Sequence, residues 1–245
     1  MSFFDKFPEM EGADLRDLKK GIDSSFKEFS RSWGESIEAF FDPLLYFLVN
    51  FEKLLLATPW PIIIGIVASL SYLGSRSWQL SAGAAISFLA IGYLGMWENT
   101  MSTVALISVA TFICVTFGIP IGVAMSKSDR LQAFITPILD IMQTIPIFVY
   151  LLPVVMLLGI GKVPGLIAVC VYAMPPIVRL TSLGLRLVDK EILEAADAFG
   201  SNYRQRLFKV QLPLALPNIF AGVNQTIMMA LAMVVIASMI GVKGL

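Results

Sequence analysis

Between Pro59 and Trp97 the chain carries one charged side chain, Arg76. A helix rises about 1.5 Å per residue, so about 20 apolar residues cross a hydrocarbon layer of about 30 Å. The 59–97 stretch therefore holds two near-spans back to back, a pattern that soluble folds do not use. Similar runs recur, giving six apolar segments at about 58–75, 77–97, 101–126, 132–158, 164–185 and 214–240. Backbone polar groups in lipid must pair within their own segment, which selects helices. The expected class is an all-α polytopic membrane protein of about six transmembrane helices. Composition agrees, with 57% hydrophobic and 15% charged residues.

The residue inventory narrows function by exclusion. Histidine is absent, which removes the commonest general base and metal ligand. The two cysteines, Cys114 and Cys170, lie in apolar runs and read as small hydrophobic side chains. Net charge is zero, so nothing favours nucleic acid. No metal or cofactor is called for. Gly159-Ile160-Gly161-Lys162 lacks the spacing of a phosphate loop, and Val163 stands where a hydroxyl residue is required.

Residues 1–57 read as a separate region. A polar tail leads into Phe26, Phe29, Trp33, Ile37, Phe40 and Phe41, spaced for one helical face suited to a membrane surface. From 42 to 57 the apolar pattern strengthens. Asp42, Glu52 and Lys53 favour an interfacial amphipathic helix over a first crossing, since charge at mid-membrane is costly. Residues 58–245 then form the transmembrane domain. With six alternating spans, nine of the eleven Lys and Arg residues after position 58 fall on one side, leaving Lys162 and Lys243 on the other. The nine-residue side is cytoplasmic.

That orientation places the long polar stretch 186–213 in the cytoplasm. Asp189 can cap a helix, with Glu191 and Glu194 favourably placed near its start. Ala195, Ala196 and Ala198 make a small-residue surface, and Gly200 ends the helix. A second helix, from Ser201 to about Gln211, is expected to stop at Leu212-Pro213, giving a helix–turn–helix elbow. Glu194-Ala195-Ala196, three residues, Gly200, nine residues, Val210 and then Leu212-Pro213 resembles the EAA coupling motif of bacterial ATP-binding-cassette importer permeases.

Further blocks sharpen the resemblance. Leu139 to Pro146, Phe148 to Pro153, Gly159-Ile160-Gly161, Pro175 to Thr181 and Asn224-Gln225-Thr226 are similar to permeases of the glycine betaine/proline betaine/choline importer family. The resemblance covers about residues 55–245 and implies the type I importer permease fold in the bacterial cytoplasmic (inner) membrane. It implies that Glu194, Ala195, Ala196, Gly200, Leu212 and Pro213 couple the chain to a cytoplasmic ATPase dimer. An external binding protein, or a fused binding domain, would deliver a small compatible solute to a permease homodimer. Family members usually continue through another helix, so the chain is expected to be incomplete at its C-terminus.

Candidates for the translocation path follow from chemistry. A delocalised cation is attracted to aromatic faces, which Phe148, Tyr150 and Tyr172 could supply, although aromatics in such helices more often pack. Gln143, Thr144, Asn224 and Gln225 either line a hydrated passage or tie helices together. Asp140 needs a partner, water or an interface, and Arg179 is a candidate partner. A membrane enzyme finds no nucleophile motif or paired carboxylates here. A channel or ion-driven carrier gives no reason for the elbow. The serious alternative is an importer of the same class carrying an amino acid or a sulfonate such as taurine.

Overall fold

The computed structural model describes residues 12–239, apart from the side chains at 13, 29, 33–38 and 40. The apolar stripe expected at Phe29, Trp33, Ile37 and Phe40, and the chain end at 241–245, therefore lie outside what is described. The chain divides into two compact units, Met1–Pro43 and Leu44–Leu245. Helix α1 (Gly12–Ala57) begins in the first unit, where Lys27 bonds to Asp23 one turn earlier at 2.7 Å.

Every element described in the second unit is helical. After the end of α1 come α2 (Trp60–Ser75), α3 (Trp78–Tyr93), α4 (Trp97–Lys127), α5 (Asp129–Thr144), α6 (Ile147–Leu158) and α7 (Lys162–Arg186). The elbow helices α8 (Lys190–Ala198) and α9 (Tyr203–Arg206) follow, then a π-helical turn, Leu207–Gln211, and α10 (Leu212–Ser238). Among the described residues, α4, α7 and the run Tyr203–Ser238 are long and apolar enough to cross a membrane singly.

Three expected spans look different in three dimensions. The 132–158 segment is two helices, α5 and α6, meeting at 88°. Pro146 causes this break, because a proline ring disfavours helical geometry at the residue before it. Ile145 is accordingly extended, at φ −68° and ψ 131°. The segment ending at Ala57 meets α2 at 105° across Pro59, and α2 and α3 have 16 residues each, about 24 Å of helix.

The core lies where α7 packs against α4 and α10. Glycine makes these crossings close. A Cβ on Gly122 would lie 2.7 Å from Thr181 Cβ and 2.7 Å from the Val178 carbonyl oxygen, and one on Gly184 would lie 2.7 Å from Asn218 Cβ. Small residues let backbones approach, and van der Waals packing then holds membrane helices that the hydrophobic effect does not drive together. Cys114 and Cys170 face one another across α4 and α7 as free thiols, the Cys114 Sγ lying 3.6 Å from the Cys170 carbonyl. Leu48, from the end of α1, is buried in this same core.

Candidate functional site: the elbow and the helices that hold it

The elbow starts where α7 closes at Leu187. Asp189 caps α8 by accepting the Glu191 N–H at 3.0 Å. At the other end Gly200 takes φ +78°, a left-handed conformation that costs other residues a Cβ clash. That turn lets the Gly200 N–H reach the Asp197 carbonyl at 2.9 Å and the Ser201 N–H reach the Ala196 carbonyl at 3.1 Å. Together these bonds form a Schellman closure, which satisfies carbonyls the helix would otherwise leave open.

The second arm is held as firmly. Asn202 accepts the Gln205 N–H and Gln205 accepts the Asn202 N–H, each at 2.9 Å, a reciprocal capping box. Arg206 reaches back to Asp197 at 2.6 Å and ties α9 to α8. Contrary to the expected stop at Leu212-Pro213, the chain runs on without a break. The π turn carries the Leu212 N–H to the Leu207 carbonyl, five residues back. Pro213 then sits in the first turn of α10, where a missing N–H is tolerated.

This geometry gathers most of the expected coupling residues. Ala196 and Gly200, with Phe199, Ser201, Gln205 and Lys209, line a cleft of about 420 Å³. Glu194 and Ala195 are exposed on the same short helix. Leu212 and Pro213 lie apart from the cleft, at the start of α10, with Leu212 packed on the core. Phe199 was not singled out in the sequence, yet it is 93% exposed at the C-terminal cap of α8.

The path candidates separate into two groups. Gln143, in the last turn of α5, has its Nε2 3.7 Å from Met229 Sδ, beside the turn of α10 that follows Asn224 and Gln225. Thr144, Asn224 and Gln225 are exposed, and so is Phe148, at 46%, just beyond the α5–α6 break. Tyr150 and Tyr172 instead pack against the core cluster. Asp140 and Arg179 do form an ion pair, joining α5 to α7.

A third cluster had no partner assignment from sequence. Glu52 is buried, accepts a hydrogen bond from Ser102 at 2.7 Å and pairs with Lys162 at the start of α7. The charges Glu52 and Lys53 ahead of an apolar run were the available signal. Its partners are 50 and 110 residues away, so spacing could not reveal them.

Residues 115–245 match the family described as binding-protein-dependent transport system inner membrane component. The chain belongs to this family. It is accordingly a multi-pass component of a bacterial inner membrane. Its relatives include the glycine betaine/proline betaine transport system permease protein ProW of Escherichia coli (strain K12), 49% identical over 83% of this chain and 57% of that protein. The glycine betaine transport system permease protein OpuAB of Bacillus subtilis (strain 168) is 41% identical over 98% of this chain and 83% of its own length. The chain thus spans little more than half of the first relative and most of the second. A solved chain from the MetNI methionine ABC transporter, in inward-facing conformations, shares the fold at a TM-score of 0.52 and 24% identity. That match covers 58% of this family member and 72% of the solved chain.

Proposed function

We propose that this chain is the permease subunit of an ATP-binding-cassette importer for glycine betaine-type solutes, small molecules bearing a methylated cationic nitrogen. The observation that carries the reading is the elbow, an end-capped pair of short helices that exposes Glu194, Ala195 and Phe199, with Phe199 and Gly200 lining a cleft. Small side chains allow close approach, and a fully presented phenylalanine suits a pocket on a partner protein. The names of the E. coli and B. subtilis relatives supply the cargo class.

In this reading the elbow seats in a groove of a cytoplasmic ATPase. Closure of an ATPase dimer displaces two elbows, one from each copy of a permease homodimer. Nucleotide then biases helix packing between two arrangements. Hydrolysis belongs to the partner subunit, and an external binding protein or a fused binding domain delivers the solute. The bend between α5 and α6, with Gln143, Thr144 and Phe148, together with Asn224 and Gln225 on α10, borders the path.

The test is reconstitution in liposomes with the ATPase and the binding protein, followed by uptake of labelled glycine betaine. Uptake should require ATP and be competed by choline but not taurine. ATP-independent uptake would overturn the importer reading, and a preference for taurine would overturn the cargo.

A further inference from the structure

The elbow has a third attachment, besides its two covalent ones, to the turn between α4 and α5. The Lys127 ammonium, in the last turn of α4, lies 4.5 Å from the centre of the Tyr203 ring on α9. The Arg206 guanidinium carbon lies 6.0 Å from the same ring while bonding to Asp197 on α8. Beside them Arg186, at the end of α7, donates to the Met125 carbonyl at 2.8 Å and to Asp129 at 2.7 Å. Asp129 is 90% exposed, so its ion pair alone contributes little. The bond to the Met125 carbonyl is partly buried and adds to the 3.4 Å bond that this carbonyl accepts from the Ser128 N–H at the end of α4.

Mechanics make the attachment matter. Helices of nine and four residues are too short to be rigid alone. Held only by Leu187–Asp189 and by the π turn, the elbow would swing about those two points and dissipate a push. Fixing Tyr203 to the end of α4 removes that freedom. The same fixation reaches α5, which starts at Asp129 and is capped by Ser128, the Leu131 N–H donating to Ser128 Oγ at 3.3 Å. The far end of α5 carries the Asp140–Arg179 pair and the Gln143 contact with α10, just before the bend at Pro146.

We propose that Lys127 and Tyr203, braced by Arg186, form a strut that passes displacement of the elbow to α5, making the α4–α5 turn a second arm of the coupling device. This rests on the importer reading. Lys127 and Tyr203 are positioning residues and do not themselves need to touch the ATPase.

The experiment has two parts, each using Lys127→Met, Tyr203→Leu, the double variant and the conservative Tyr203→Phe. In the permease alone, amide exchange around residues 201–206 should quicken about two- to fivefold in either single variant and no further in the double, with Tyr203→Phe unchanged. In the reconstituted importer, Lys127→Met and Tyr203→Leu should still co-purify with the ATPase but import severalfold less solute per ATP hydrolysed. Unchanged exchange, or unchanged solute per ATP, would overturn the strut. Loss of co-purification would also overturn it, because it would put Tyr203 in the docking surface itself. Failure of the importer reading is distinct, since it would appear as ATP-independent uptake by the unsubstituted protein.

Discussion

Removing the carboxylate of Glu52 should destabilise the chain more than any other single loss of charge described here. Glu52 is 8% exposed and its partner Lys162 is 27% exposed along its side chain. Breaking a fully buried pair costs about 3–5 kcal/mol, because the surviving charge is left without compensation. Lys162 has partial access to solvent and a flexible stem that can carry its ammonium outward, which reduces the cost to about 1–3 kcal/mol. Each kcal/mol moves the thermal midpoint of a chain this size by about 2–4 °C, so Glu52→Ala should lower it by about 2–12 °C. Replacing both partners, as Glu52→Met with Lys162→Met, should recover most of that loss, since a buried pair gives little net gain over apolar packing. The assay is thermal unfolding of the lipid- or detergent-solubilised protein, run as a double-mutant cycle. A shift under 1 °C for Glu52→Ala, or strictly additive effects in the double variant, would refute the reasoning.

Gly122→Ala should cost about 1–3 kcal/mol, because the new methyl meets the Val178 backbone as well as Thr181 and neither can yield cheaply. Gly65→Ala is the control: a Cβ there meets nothing within 4 Å and alanine favours the helix, so the thermal midpoint should not fall. At Gly200 there is also open space, so Gly200→Ala should cost only the left-handed strain, about 1–2 kcal/mol, visible as faster amide exchange at the end of α8. Asn tolerates that conformation, and Gly200→Asn should largely restore protection. Phe199→Ser should leave permease stability within about 0.5 kcal/mol yet weaken co-purification with the ATPase at least about tenfold. Equal effects on stability and association would argue against a docking role.

Local chemistry was legible wherever its cause lay within a few residues. The apolar runs announced helices, Asp189 announced a cap, and Gly200 announced a helix end. All three depend on neighbours along the chain. Non-local facts were hidden for a matching reason. The 88° bend at Ile145-Pro146 was hidden within one apolar run, because the angle depends on what α5 and α6 pack against. The run through Pro213 was misread as a stop, since a π turn is a backbone adjustment with no residue signature. Tyr150 and Tyr172 share their residue type with exposed aromatics such as Phe148, and only the structure shows that they pack against the core.

Sequence by itself determined that this chain is a helical membrane protein with a capped polar elbow between its last two apolar segments. Helix formation in lipid follows from hydropathy and backbone satisfaction, both of which are local. Tertiary structure decided which distant groups meet: Glu52 with Lys162, Asp140 with Arg179, and Lys127 with Tyr203. Such pairings arise from how helices cross, and crossing depends on close approaches such as those at Gly122 and Gly184 that no spacing along the chain encodes.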